Sequence, residues 1–464
     1  MTTGDRRGRP RRTRPARDEA RNAAFDLLRA VDERDAYANL LMPVLLAERR
    51  LTGRDAALAT ELAYGTLRGL GTYDAVIDAC GDRPCDKIDP PLLDALRLGA
   101  HQLLRTRIPP HAAVSATVDL VRLRIGTGAS RFANAVLRRI AGRDLAQWLE
   151  VVAPPADEDP VGRLAVSHSH PRWVVTALRD ALRADGASAD EQLEALLAAD
   201  NERPRVSLVA RPGRASVEEL TAAGATPAAY SPYGAYLGEG DPGGIAAVAQ
   251  GRAAVQDEAS QLVALALTRV PLSGEDHLWL DMCAGPGGKA GLLEALAAER
   301  GARLLASDAR HHRAKLVWRT TRDAGVIVAD GRAGAWRPGS FDRVAVDAPC
   351  TGLGALRRRP EARWRRDPGS VPELAELQRG LLTAALAAVR PGGVVAYVTC
   401  SPHPAETREV VADVLRGRDD VTELPAAEFI PEVADFGPGP YAQFWPHRHG
   451  TDAMFLALMR RENG

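Results

Sequence analysis

Apolar residues recur at three- and four-residue steps through the first third of the chain. Ala20, Ala23, Ala24, Leu27, Leu28 and Val31 would share one face of a helix, and similar stripes run through 92–104 and 114–123. Pro109-Pro110 separates those two stripes, because an interior proline removes a helix hydrogen bond and clashes with the turn before it. The pattern predicts helices throughout residues 18–144. From 145 to 265 it weakens. Pro154-Pro155 and the acidic run after it suggest a linker, Ser169–Trp173 reads as the start of a helix, and Val206-Ser-Leu-Val-Ala210 alternates as a strand does. The Gly- and Pro-rich stretch 231–244 has no readable period. A small mixed α/β module is expected over this region, packed against the C-terminal part of the chain.

From 266 to 464 short apolar runs alternate with helical stretches. His277–Asp281, Arg303–Asp308, Val326–Asp330, Phe341–Asp347 and Val394–Cys400 each read as a short buried strand with a polar end. Such alternation predicts a doubly wound, mostly parallel α/β sheet. Ligands bind such sheets beyond the carboxyl ends of the strands, near the reversal of strand order. Asp308, Asp330, Asp347, Cys350 and Cys400 all fall at or just past such ends. The expected fold class is therefore multidomain: an all-α domain over 18–144, a small α/β module over 145–265 and a Rossmann-like α/β domain over 266–464.

A length of 464 residues, 45% hydrophobic and 26% charged, fits two or three soluble globular domains. No apolar run approaches the roughly 18 to 20 residues of a membrane span, and no apolar h-region follows the basic start, so a cytoplasmic protein is expected. Five cysteines (Cys80, Cys85, Cys283, Cys350, Cys400) in so long a chain do not make a disulfide framework. The net charge is zero, yet residues 1–17 hold seven arginines against Asp5 alone. That tail is expected to be disordered, serving either as an electrostatic arm for phosphates or as a plain solvated end. Arginines outnumber lysines throughout, 57 to three, so arginine abundance by itself says little about nucleic acid. His168, His170, His311, His312, His447 and His449 have no cysteine or acid at ligand spacing, and no metal is expected.

The candidate chemistry lies in three segments. Asp281-Met-Cys283-Ala284-Gly285-Pro286-Gly287-Gly288-Lys289 is a glycine-rich turn entering a helix whose free N–H groups and dipole favour negative charge, with Asp308 placed to take ribose hydroxyls. A dinucleotide-binding enzyme would share these features. Pro286 and the missing third glycine of G-x-G-x-x-G argue against a nicotinamide, whereas a cationic sulfonium would welcome acids such as Asp330 and Asp347. The other two segments are Asp347-Ala-Pro-Cys350 and Thr399-Cys400-Ser401. Either cysteine alone is more readily read as inert core. Together, on strands that would be neighbours, they suit methylation of a pyrimidine carbon: a thiolate adds to carbon 6, carbon 5 becomes nucleophilic, and the thiol is later eliminated. Pro349 stiffens the turn between Asp347 and Cys350.

These segments, with Asp347-Ala-Pro-Cys-Thr-Gly-Leu-Gly-Ala-Leu-Arg-Arg-Arg-Pro360 read in full, closely resemble the motifs of RNA 5-methylcytosine methyltransferases. The helical region, ending in Arg131-Phe-Ala-Asn-Ala-Val-Leu-Arg138-Arg139, resembles a NusB-type RNA-binding domain. The combination is similar to the small-subunit rRNA methyltransferase B (Sun, Fmu) group over nearly the whole chain from Arg17. The resemblance implies that Cys400 is the nucleophile, that Cys350 assists product release and that Asp347 lies between cofactor and base. It also implies that Cys283 to Lys289 cradle S-adenosylmethionine, with Asp308 on the ribose and Asp330 near the adenine. RNA is the implied partner and a small-subunit rRNA loop cytosine at the position usually numbered 967 the implied target; a monomer is expected. Three departures stand out: Gly285 replaces an alanine, Thr351 a serine, and Asp452-Ala-Met-Phe455 stands where Asp-Gly-Phe-Phe is common.

Arg131, Arg138 and Arg139 are candidate RNA contacts, set against a solvated basic helix face. Relatives with the same core act on tRNA or other rRNA sites, so the same reaction on tRNA stays open. A non-catalytic NusB-like antitermination factor would need neither cysteine motif, and a dehydrogenase would explain the sheet but not the thiols.

Overall fold

The stripe over 20–31 folds as the helix Glu19–Arg34, started by the Asp18 carboxylate accepting from Arg21 N at 3.0 Å. In this computed structural model, which describes residues 18–238 and 240–462, the chain divides into two units between Pro154 and Pro155. The arginine-rich segment 1–17 lies outside the described residues. In the first unit the helices Ala38–Glu48, Gly53–Arg68, Leu70–Cys80, Pro90–Arg105, Pro110–Arg124 and Thr127–Ile140 follow, sharing one apolar core. Pro110 sits at the first helical position, where its missing N–H costs nothing. A further helix, Leu145–Val152, opens with a capping box between Asp144 and Gln147. Its Trp148 is buried in the same core and donates to Ile140 O at 2.9 Å, so the division falls some ten residues beyond 144.

The second unit begins with the helices Pro160–Ser167, Arg172–Ala184 and Ala189–Ala199. Strands β1 (Val206–Ala210), β2 (Ala225–Pro227), β3 (Gly234–Leu237) and β4 (Ala253–Val255) form a small antiparallel sheet in the order β2-β3-β1-β4. The helix Glu258–Arg269 is buried almost throughout and shares a core with the main sheet and with Val209 of β1. The main sheet contains β5 (Leu278–Asp281), β6 (Arg303–Asp308), β7 (Gly325–Val328), β8 (Phe341–Asp347), β9 (Val389–Thr399), β10 (Val421–Leu424), β11 (Ala442–Gln443) and β12 (Phe455–Arg461). Its order is β10-β12-β9-β8-β5-β6-β7, with β11 paired to β12. Strands β5 to β9 run parallel, while β12 lies antiparallel between β9 and β10.

Helices cover both faces of this sheet: Glu258–Arg269 and Gly288–Glu299 on one, Ser370–Ala388 and Arg408–Leu415 on the other. Strand order reverses between β5 and β8, the kind of switch point outside whose carboxyl ends ligands bind in open α/β sheets. The three helices of 160–199 pack against Leu353, Leu356, Trp445 and Ala453. Asp185 reinforces that contact by accepting from Trp445 Nε1 at 2.9 Å and from Arg408 at 2.8 Å. Among the described residues no helix is long and apolar enough to cross a membrane.

Candidate active site

The turn after β5 is stitched to both neighbouring strands, with Met282 N donating to Ala345 O at 3.0 Å and Ala284 N to Ser307 O at 2.9 Å. Gly285 N reaches Asp308 Oδ2 at 3.2 Å, and Asp308 Oδ1 accepts from Arg310 N at 2.9 Å. A methyl at 285 would stand 2.4 Å from the Asp308 carboxylate and 2.8 Å from Arg313 Cβ, which accounts for glycine in place of alanine. Gly287 has φ +114°, and a side chain there would meet Thr320 at 2.8 Å, so the loop needs glycine on both counts before the helix begins at Gly288.

The acids at the strand ends differ in state. Asp281 is fully buried with neither carboxylate oxygen hydrogen-bonded, and burial, then the nearby Asp347 charge, pushes its pKa up to about 7. Asp347 pairs with Lys289 Nζ at 2.8 Å. Burial opposes the Lys289 charge, but the Asp347 carboxylate outweighs it and holds that ammonium above its ordinary range. The Cys283 thiol is pushed up by burial and by the three surrounding acids. Asp330 lies two residues past the end of β7, earlier than expected for that strand. There it caps a short 3-10 turn, partly exposed and held low by hydrogen bonding to Arg332. Orphaned buried oxygens, a glycine cradle and clustered carboxylates fit a compact cationic cofactor better than a pyrophosphate.

Cys350 follows β8 and Cys400 follows β9, adjacent strands in register from Arg343↔Val394 to Asp347↔Val398. Their sulfurs lie 3.4 Å apart as free thiols. The pair is polarised. The hydrogen bond from Cys350 lowers the Cys400 pKa, with Arg359 and Lys289 assisting against burial and Asp347. The same bond, with burial, pushes Cys350 well above the ordinary thiol range. Of the two, Cys400 is the thiol whose ionisation its surroundings favour.

Beneath the thiols sits Glu406, fully buried and absent from the sequence-based site. It accepts from Thr351 N at 2.8 Å, Ser401 Oγ at 2.6 Å, Gln378 Nε2 at 3.2 Å and the Thr351 hydroxyl at 2.5 Å. One carboxylate therefore ties the loop of Cys350 to the loop of Cys400, and Thr351 supplies the hydroxyl that a serine would. A second clamp joins Asp452 to Arg358 at 3.0 Å and Arg357 at 3.3 Å, both partnered with Asp257. Gly354 is wedged between them, donating to Cys400 O and accepting from Ala453 N, both at 2.8 Å; a side chain there would lie 2.0 Å from Ala453 O. The 452–455 departure thus packs directly on the cysteine loop. Glu406 had no sequence signal beyond an acid six residues after Cys400. Glu406→Ala would strand several buried donors, and a loss of about 3 kcal/mol is expected. Chemical denaturation of the purified variant measures it; unchanged stability would mean that the carboxylate is not a tie.

Among the described residues no group of three or more His, Cys, Asp or Glu side chains could hold a metal. In the first unit, Arg131 and Arg138 stand exposed two turns apart on Thr127–Ile140, the latter bonded to Asn134. Arg139 is also exposed but turns to Cys80 O at 2.7 Å and Asp82 at 3.2 Å.

Residues 269–460 match the family model described as 16S rRNA methyltransferase RsmB/F, and residues 18–142 match the NusB family. Rv1407 of Mycobacterium tuberculosis, whose name specifies a methyltransferase without a substrate, is 56% identical over 98% of this chain and 99% of its own length. The ribosomal RNA small subunit methyltransferase B of Pseudomonas putida is 34% identical over 88% of this chain and 91% of its own. The crystal structure of PH0851 matches with TM-score 0.78 at 22% identity, over 97% of this chain and all of that one, a likeness of fold.

Proposed function

Because the chain belongs to the RsmB/F family of 16S rRNA methyltransferases, we propose that it methylates carbon 5 of a cytosine in small-subunit rRNA, at the position usually numbered 967. The observation that carries this reading is the pair of free thiols, 3.4 Å apart, just past the carboxyl ends of the adjacent strands β8 and β9. Cys400, as thiolate, attacks carbon 6 of the ring and forms the covalent adduct, leaving carbon 5 electron-rich. S-adenosylmethionine, when bound, supplies the methyl group. Cys283 to Lys289 hold that cofactor, with Asp308 on its ribose and Asp330 on the adenine side. Lys289 keeps Asp347 in place between cofactor and base. Cys350 serves the second half of the reaction, in which carbon 5 loses its proton, the bond between carbon 6 and the Cys400 sulfur breaks with the electron pair returning to sulfur, and the methylated RNA is released.

The helical unit is the RNA anchor in this reading, through Arg131 and Arg138 and with residues 1–17 adding positive charge. Unpaired loop bases suit it, since they enter a pocket without the cost of breaking a pair. Five free cysteines suit a reducing cytoplasm, and the site is complete within one chain, so a monomer suffices.

The test is incubation with radiolabelled S-adenosylmethionine and unmethylated small-subunit rRNA, followed by mapping of the modified nucleoside. A single 5-methylcytosine in a small-subunit loop is expected. Label on tRNA alone would keep the mechanism and overturn the substrate, and a non-catalytic RNA-binding factor would incorporate none. RNA affinity is expected to fall on the order of tenfold or more between about 50 and 200 mM salt, as released counterions require. A filter-binding series that stayed flat would remove the basic helix as anchor.

A further inference from the structure

The helix His311–Thr320 carries a surface that this reaction does not use. Lys315, Trp318 and Arg319 recur at i, i+3 and i+4, so they fall along one side, and all are exposed. Trp318 is 67% exposed, the most of any large hydrophobic side chain among the described residues. Val328, on the edge strand β7 against which this helix packs, is also exposed. Arginines elsewhere in this unit are widely paired with acids, yet among the described residues no carboxylate pairs with Lys315 or Arg319. The nearest acids in sequence are engaged: Asp308 faces Arg313 at 3.5 Å and Asp323 faces Arg214 at 3.7 Å. A merely solvated basic face would give no reason to leave an indole in water. An exposed aromatic plane between unpaired cations is the recognition chemistry of single-stranded nucleic acid, with the ring stacking on a base and the cations meeting phosphates.

The inner side of the same helix touches the cofactor turn. Arg313 donates to Gly285 O, and Thr320 packs beneath Gly287. A strand lying on the outer side would be about one helix diameter, roughly 10 Å, from that turn.

We propose that Lys315, Trp318 and Arg319 form a second RNA contact on the catalytic unit, where an unpaired nucleotide flanking the target stacks on Trp318. This rests on the reading of the substrate as RNA. The test uses the full chain with unmethylated small-subunit rRNA and compares Trp318→Ala, Trp318→Phe and Lys315→Gln/Arg319→Gln with the parent. Trp318→Ala is expected to raise KM for RNA about tenfold with kcat unchanged, and Trp318→Phe to restore most of the loss. The double charge variant should lower the slope of log affinity against log salt by about 1.4. S-adenosylmethionine binding, measured by calorimetry, should be the same in all and certifies folding. An unchanged KM and salt slope in variants of an enzyme that methylates RNA would overturn this contact alone. Loss of a protein partner on Trp318→Ala, without change in RNA affinity, would overturn it in favour of a protein interface. If the parent methylates no RNA, the functional reading itself falls and takes this contact with it.

Discussion

Cys400→Ser is expected to abolish methyl incorporation, lowering turnover on the order of 10^4-fold or more, as loss of a covalent nucleophile does elsewhere. A hydroxyl in that position would still receive the Cys350 hydrogen bond but could not ionise near neutral pH, so no adduct would form. The glycine turn and the Lys289–Asp347 pair are untouched, and S-adenosylmethionine should bind as before. Single-turnover transfer of labelled methyl to RNA, with calorimetry of the cofactor beside it, measures both. An active serine variant would remove Cys400 from the chemistry.

Cys350→Ala should behave in the opposite manner, forming the adduct and then failing to release it. The reasoning follows from the polarisation of the pair. While Cys400 is a thiolate, its charge and hydrogen bond keep Cys350 protonated. Once Cys400 becomes a neutral thioether, both influences vanish, and although burial, Glu406 and Asp347 still oppose its charge, Cys350 ionises more readily for the second half of the cycle. Without it, multiple turnover should fall at least about 100-fold, the usual worth of acid–base assistance, while a denaturation-resistant protein–RNA species accumulates in stoichiometric amount. Removing the donor should also raise the Cys400 pKa, so adduct formation by the variant should need higher pH than in the parent. Gel electrophoresis under denaturing conditions across a pH series reads both effects, and an active Cys350→Ala enzyme with no adduct would contradict the assigned role.

The strands of the catalytic core could be read closely from local pattern. Arg303–Asp308 and Phe341–Asp347 match β6 and β8 residue for residue, because each is an apolar run with an acid at its end. Val326–Asp330 overran β7, since Asp330 is drawn into capping the next turn. The meeting of Cys350 and Cys400 was legible only by assuming the strand order, which β8–β9 pairing bears out. Other features depend on contacts between distant segments and leave no local trace. The helices of 160–199 bury their faces on Leu353, Leu356 and Trp445, so they are part of the catalytic unit's own core. Glu406 looks like any surface acid until Thr351, Ser401 and Gln378 close around it.

The place of β12 has a consequence for the order of assembly. It is the last strand in sequence, yet it lies between β9 and β10, and the segment leading into it closes over Gly354 beside Cys400. The slot between those earlier strands stays open until β12 arrives. The surroundings of the thiols are therefore complete only once β12 has paired with β9, a non-local closure of the kind that slows refolding.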